Sequence, residues 1–425
     1  MFMLAIFKKT LWSKDLTSWY LFDFANSFIY INLTVYFSQW IVVDKGLADF
    51  WYSLPFVLAT IILIFVSSWA GHKGDISGNH SSLFIKLILG TAVCAVGIFM
   101  AGRYVEGLAG AVTALIFFGI LQLCYQLTFV PYSAFIKHIA PEDVYGKASG
   151  IGYFFGQAGS IVGVLATLPF ATGTVTLFGT DRLAVMPLAM LLFLVFALPS
   201  IIVFRKRRFV PFVNTTPETK VLTAFVRHLS ESRRHPGVFR LLISYYFFSD
   251  AILTISLYSA IYLEKAFGIA DSAKVTIFII ILATMAVGAL LAGVLADRYS
   301  KRKILIISLI INALTVVVIS FYKSPESISV IFGLFGFSMG AVYATSRSYL
   351  TSLIPKSESG KFFGLYTFAE RFSSVVGPLT WSLVVWLMSV YAPLNYRVAV
   401  FVMGLFIIIA VFPMLRHMPD QYLES

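Results

Sequence analysis

Charge is the scarcest resource in this chain of 425 residues: Asp, Glu, Lys and Arg make up 12%, against 59% hydrophobic residues. So little polar surface cannot coat a water-soluble globule, which excludes a soluble enzyme or binding module and leaves a polytopic membrane protein. Cysteine is also scarce. Cys94 and Cys124 both lie in apolar runs, which argues against a disulfide framework or a thiolate metal site. All six histidines fall in loops or tails, so no histidine-ligated metal centre is expected within the membrane, and no cofactor is expected either. No Walker sequence occurs, and the stretch from Arg205 to Arg240 is too short for an ATPase domain, so energy must come from ion or substrate gradients. A membrane-embedded enzyme would need a buried nucleophile with its base, or a metal cluster, and histidine-free spans disfavour both.

Long apolar runs, by contrast, are plentiful. About 20 residues at ~1.5 Å each cross ~30 Å of hydrocarbon, and such runs recur at 17 to 43, 52 to 70, 82 to 102, 108 to 130, 148 to 169, 183 to 204, 239 to 263, 273 to 296, 304 to 322, 327 to 350, 361 to 388 and 395 to 415. The fold class expected is therefore an all-α membrane protein with twelve transmembrane helices. The first span is too long for a secretory signal and lacks a small-residue cleavage site, so nothing is expected to be removed. Phe2 to Trp12, with Lys8 and Lys9, reads either as a short amphipathic anchor on the membrane surface or as a frayed tail.

A net charge of +12 would suggest nucleic acid as the partner of a soluble chain. Here the basic residues crowd onto alternate loops, which is the positive-inside pattern, and the lipid bilayer is the partner instead. With the N-terminus in the cytoplasm, the opposite face holds only Lys45, Arg103, Arg182, Lys265, Lys274, Lys323 and Arg397. Both termini are then cytoplasmic. Compact loops suit a bacterial inner membrane, and a monomer is expected.

The basic, proline-bearing stretch after span six divides the chain into a six-helix bundle at 1–204, a cytoplasmic linker at 205–238 and a second bundle at 239–425. Pro141, Gly146, Lys147, Gly150, Phe154, Ser160, Val162 and Gly163 match Pro355, Gly360, Lys361, Gly364, Phe368, Ser374, Val376 and Gly377 at one fixed offset. That self-similarity points to duplication. Gly71 and Asp75 pair likewise with Gly293 and Asp297, and Asp23 with Asp250 in the first span of each half. An even number of spans separates the copies, so the two six-helix repeats are parallel and the substrate site belongs between the halves.

The loop carrying Gly293, Asp297, Arg298, Lys301, Arg302 and Lys303 resembles the signature of the major facilitator superfamily; the first copy, Gly71 to His80, lacks its basic run. The resemblance implies the major facilitator fold, alternating access, and a gating role for Gly71, Asp75, Gly293, Asp297, Arg298 and Arg302 at cytoplasmic helix ends. A narrower resemblance, to the Unknown Major Facilitator family, rests on Trp19, Phe22, Asp23, Phe24, Ala25, Asn26 and Ser27. It extends through Ser149, Gly150, Gly152, Gly156 and Gly159, then Ser346, Arg347, Ser348, Leu353, Ile354, Pro355, Phe362, Phe363, Gly364, Leu365, Tyr366, Gly377 and Pro378. That family includes vacuolar amino-acid effluxers associated with autophagy, which implies an amino acid as substrate. Ala251 and Leu253 depart from the glycine and polar residue expected after Asp250.

Away from the span ends, five charges stand deep within apolar stretches: Asp23, Asp250, Arg347, Glu370 and Arg371. Each costs about 2.5 to 3.5 kcal/mol to insert, so each needs a partner or water, and such residues mark transport pathways. Trp19, Asp23, Asn26 and Tyr30 follow helical spacing, as do Tyr246, Asp250, Thr254 and Tyr258. Each carboxylate thus lies on a polar, aromatic stripe that either faces a central cavity or binds two helices together. Arg347 and Glu370, on successive antiparallel spans, could form an ion pair. The expected site comprises Asp23, Asn26, Tyr30, Asp250, Thr254, Arg347, Tyr366, Glu370 and Arg371. An aspartate would take a proton or a substrate ammonium group, and an arginine a substrate carboxylate. Six glycines from Gly146 to Gly163 permit close helix approach and make span five a candidate moving element, while Gly377-Pro378 could bend span eleven. The function expected is secondary active transport of a small polar or zwitterionic metabolite, with protons as a possible coupling ion. A lipid-moving or substrate-sensing protein on the same scaffold is the alternative.

Overall fold

A computed structural model describes residues 11–77, 80–141, 144–205, 230, 232–233, 235–354 and 359–416. Of helical residues 68–77, 137, 146, 359–364, 367–368 and 370–371 only the backbone is described. The expected anchor therefore lies outside the described residues, apart from Leu11 and Trp12.

Among the described residues there is no strand, and twelve long helices account for the twelve apolar runs. They are α1 Lys14–Asn32, α2 Asp49–Ser77, α3 His80–Tyr104, α4 Gly107–Ile139, α5 Tyr145–Ala171, α6 Val185–Arg205, α7 Pro236–Phe267, α8 Asp271–Arg298, α9 Lys301–Phe321, α10 Ile328–Leu353, α11 Ser359–Leu387 and α12 Leu394–Leu415. Ten stretches of described chain are long and apolar enough to cross a membrane, and Phe372–Leu387 adds a shorter one. Outward faces carry large apolar side chains such as Val93, Ile116, Leu290 and Val330, as helices surrounded by lipid require.

Local chemistry sets several helix ends. Ser13 caps α1 by accepting from the Leu16 amide at 3.3 Å, and Ser300 caps α9 by accepting from Lys303 at 3.2 Å. Pro236 stands in the first turn of α7, where its missing N–H is harmless, and Gly268 ends that helix at φ 66°, a left-handed conformation suited to glycine. Beyond α1 the chain continues through two π-helical turns, Leu33–Phe37 and Trp40–Asp44. There Asn32, Ser38 and Gln39 bond back to the carbonyls of Phe28, Thr34 and Val35, and such back-bonding competes with the regular ladder.

The chain forms two compact units, Met1–Leu47 with Leu58–Pro217, and Ala48–Val57 with Glu218–Ser425. The opening turns of α2 thus group with the second unit. Within the first, α1 packs against α5 and α6, and α3 against α4 and α6. Within the second, α7 packs against α11 and α12, and α9 against α10 and α12. The same pairing scheme recurs six helices later, the packing counterpart of the sequence repeat.

Lys274, expected as a loop charge, is instead fully buried at the start of α8. Its ammonium group donates to Glu264 at 2.5 Å and to Asp271 at 2.9 Å, which compensates its removal from water.

Candidate functional site

In the first unit the polar stripe of α1 meets α4 and α5. Asp23 is half-buried, and its Oδ2 accepts a 2.5 Å hydrogen bond from the Tyr132 hydroxyl of α4. Tyr132 is itself fixed: the Trp19 indole N–H donates to its carbonyl at 3.0 Å, and the two rings stack with centroids 4.4 Å apart. Gly152 of α5 lies over the carboxylate, where an added Cβ would stand 2.8 Å from Asp23 Oδ2. Further along, a Cβ at Gly159 would strike the Phe24 carbonyl, so the glycines of α5 do serve close approach to α1. Asn26 is buried, and Tyr30, half-buried, stacks on Tyr125 at 6.0 Å. No cation pairs with Asp23 among the described residues.

The second unit treats its stripe differently. Asp250, Thr254 and Tyr258 are all fully buried and pack against α11. Asp250 Oδ1 accepts the Gly377 backbone N–H at 2.8 Å, while Oδ2 is buried without a hydrogen-bond partner among the described residues. Thr254 donates to the Asp250 carbonyl at 2.7 Å, and Tyr258 stacks on Trp381 with centroids 4.9 Å apart. Tyr366, also buried, shares a 3.0 Å hydrogen bond with Ser346 and lies 3.9 Å from the Tyr245 ring. Of the expected cavity-facing groups on this side, Arg347 is exposed. The side chains of Glu370 and Arg371 lie outside the described residues, and with them the expected ion pair to Arg347.

The residues expected to act in gating fall on α2, α8 and α9. Gly71 and Asp75 fall on α2, but their side chains lie outside the described residues. Asp297 and Arg298 are exposed at the end of α8, and nothing stands within 4 Å of a Cβ at Gly293. Arg302 turns inward on its own unit: its guanidinium donates to the carbonyls of Met414, Leu415 and Arg416, capping α12.

One buried carboxylate escaped the sequence reading. Asp49, in the first turn of α2 and grouped with the second unit, accepts from the Trp381 indole at 3.2 Å and the Tyr396 hydroxyl at 2.9 Å. Ser53, one turn on, bonds Ser382 at 2.9 Å. Position at the edge of an apolar run made Asp49 look like an ordinary flanking charge. Its partners lie hundreds of residues away, so no local pattern could flag it. Tyr132 was legible in principle, as a polar ring inside an apolar run.

The arrangement of helices is that of the major facilitator fold. A solved structure titled D-xylose-proton symporter superposes with a TM-score of 0.73 at 15% identity, over 96% of this chain and 100% of its own. The Major Facilitator Superfamily profile matches residues 242–423. The chain is 24% identical to the Uncharacterized MFS-type transporter YxiO of Bacillus subtilis, over 86% of this chain and 87% of the relative. It is 23% identical to Autophagy-related protein 22 of Yarrowia lipolytica, over 57% of this chain and 46% of the relative. The resemblance to major facilitator transporters thus holds in sequence and in fold, and the helices of bilayer length are those of a multi-pass membrane protein.

Proposed function

We propose that the protein moves a small zwitterionic metabolite, an amino acid first among them, by proton-coupled alternating access. The observation that carries this reading is Asp23: a half-buried carboxylate within an apolar helix, satisfied by one phenol and paired with no cation among the described residues. A carboxylate so placed can exchange a proton when water reaches it, because only one of its oxygens is committed to Tyr132. Arg347 gives the second unit an exposed guanidinium suited to a carboxylate. The likeness to a family that includes vacuolar amino-acid effluxers supports the substrate class, and the fold shared with a proton symporter is compatible with the coupling ion. In this reading the protein is a monomer of the bacterial inner membrane with both termini in the cytoplasm, and Gly71, Asp75, Gly293, Asp297 and Arg298 act at the cytoplasmic gate.

Proteoliposomes tested with labelled alanine, leucine, lysine and glutamate, with and without a pH gradient, decide the matter. The expected result is gradient-driven accumulation of at least one of these. Asp23→Asn should abolish that accumulation while sparing counterflow, since exchange of bound substrate needs no net proton movement. Accumulation by Asp23→Asn equal to the native protein would refute the proton role. Absence of transport for all four would refute the substrate class.

A further inference from the structure

We infer that Asp250 is a positioning residue that holds a hinge in α11, through its capacity to accept a backbone hydrogen bond rather than through contact with substrate. The inference rests on the transport reading only in giving that hinge a use.

The bend has a local cause. Pro378 has no N–H to give, and its ring crowds the carbonyl four residues earlier, which belongs to Ser374. Ser374 leaves the helical region, with φ −87° and ψ 19°, and marks the break. The Ser374 torsions fall within the turn that would carry the Gly377 amide to the Ser373 carbonyl, and an amide drawn out of the ladder at a buried site needs another acceptor. At Gly377 that acceptor comes from another helix: the N–H donates to Asp250 Oδ1 of α7 at 2.8 Å, and Asp250 is fully buried.

Every neighbour of this bond fits the role. A Cβ at Gly377 would stand 2.6 Å from Asp250 Oδ1 and closer still to Thr254 Oγ1, so glycine is required for the amide to approach. Thr254 cannot move aside freely, because its hydroxyl is committed to the Asp250 carbonyl at 2.7 Å. Arg347, the described cation of α10, is exposed while Asp250 is fully buried, so the carboxyl has no ion pair there. What it supplies is an oxygen aimed at a peptide N–H, the service a backbone carbonyl would have rendered in an unbroken helix.

The chemistry separates cleanly by variant. Asp250→Asn keeps an acceptor oxygen and loses the charge, whereas Asp250→Leu keeps the bulk and loses the acceptor. Pro378→Ala lets α11 straighten, so the Gly377 amide can rejoin its own helix and no longer needs Asp250. The readouts need no substrate: deuterium exchange of the peptide containing Gly377 in the purified full chain, and the distance between spin labels placed at the exposed positions Phe372 and Leu387 after Cys94 and Cys124 are replaced by serine.

Expected are exchange within about 2-fold of native for Asp250→Asn, and at least about 10-fold faster for Asp250→Leu with a broadened spin-label distance. Asp250→Leu combined with Pro378→Ala should return to within about 3-fold of native, at a longer, narrow distance. Asp250→Asn behaving like Asp250→Leu would overturn the inference in favour of a charge role, and an unchanged Asp250→Leu would show the bond to be dispensable. Should Asp250→Leu fail to fold, the double variant is expected to recover folded protein, and its failure to do so would also overturn the inference. These measurements stand or fall independently of the uptake assays on Asp23.

Discussion

Gly152 and Tyr366 occupy the same place in the two repeats, at the offset that relates Gly163 to Gly377, yet they do opposite things. Gly152 leaves room for the Asp23 carboxylate beneath α5, whereas Tyr366 fills the corresponding space of the second unit with its own ring against Tyr245. Their neighbours follow suit. Tyr132, which donates to Asp23, corresponds to Ser346, which bonds Tyr366. One turn of helix pairs thus holds a partly accessible acid in one unit and a packed tyrosine in the other.

Asp250 is the reverse case. It faces Gly377, and the residue that faces Gly163 in the first unit is Phe28, which stacks on Phe196 at 5.6 Å. The acid of the second unit therefore matches a phenylalanine five residues beyond Asp23, about 7.5 Å further along the helix. The two aspartates share a helix number but not a level. The repeat kept its helix pairing and the glycine at Gly163 and Gly377, and placed its charges independently.

Three substitutions probe that contrast. Gly377→Ala should be the most damaging, because its methyl group meets both the Asp250 carboxylate and the Thr254 hydroxyl; a loss of about 3 kcal/mol is expected, read as a fall in thermal unfolding temperature of the purified protein. Retained stability would mean that α11 can slide off α7, and the hinge contact would lose its special status. Tyr132→Phe comes next. Removing the donor to Asp23 should cost roughly 1.5 kcal/mol, less than the removal of a partner from a sealed site because Asp23 is only half-buried and water can replace the phenol. A cost as large as that of Gly377→Ala would place Asp23 in as dry an environment as Asp250. Gly150→Ala is expected to have the smallest effect and the opposite sign, a gain of about 0.5 to 1 kcal/mol, since nothing lies within 4 Å of the new methyl group and alanine favours a helix interior over glycine. A loss of stability there would show that glycine content itself, not the individual contacts of Gly152 and Gly159, governs α5.

Much of this was legible beforehand. Apolar runs of bilayer length fixed the twelve helices, because a helix that crosses lipid must satisfy its own backbone and bury no charge without cause. The stripe of α1 was read correctly as a line of neighbours, yet its decisive partner, Tyr132, lies on α4 and came into view only with the packing. For the stripe of α7 the spacing was the same and the environment different: periodicity says which residues share a face, not what that face meets. Lys274 and Asp49 illustrate the point at the ends of spans, where a flanking charge and a buried one have the same sequence context.

Composition and spacing alone established a membrane-spanning, duplicated, all-helical chain with acids inside its first and seventh spans, because the cost of polar groups in hydrocarbon constrains every residue of a span at once. Only the tertiary structure decided which acid stands half-buried beside a phenol and which is fully buried against a bent helix. That choice depends on contacts between helices far apart in sequence, where one glycine, one proline or one phenol sets the geometry.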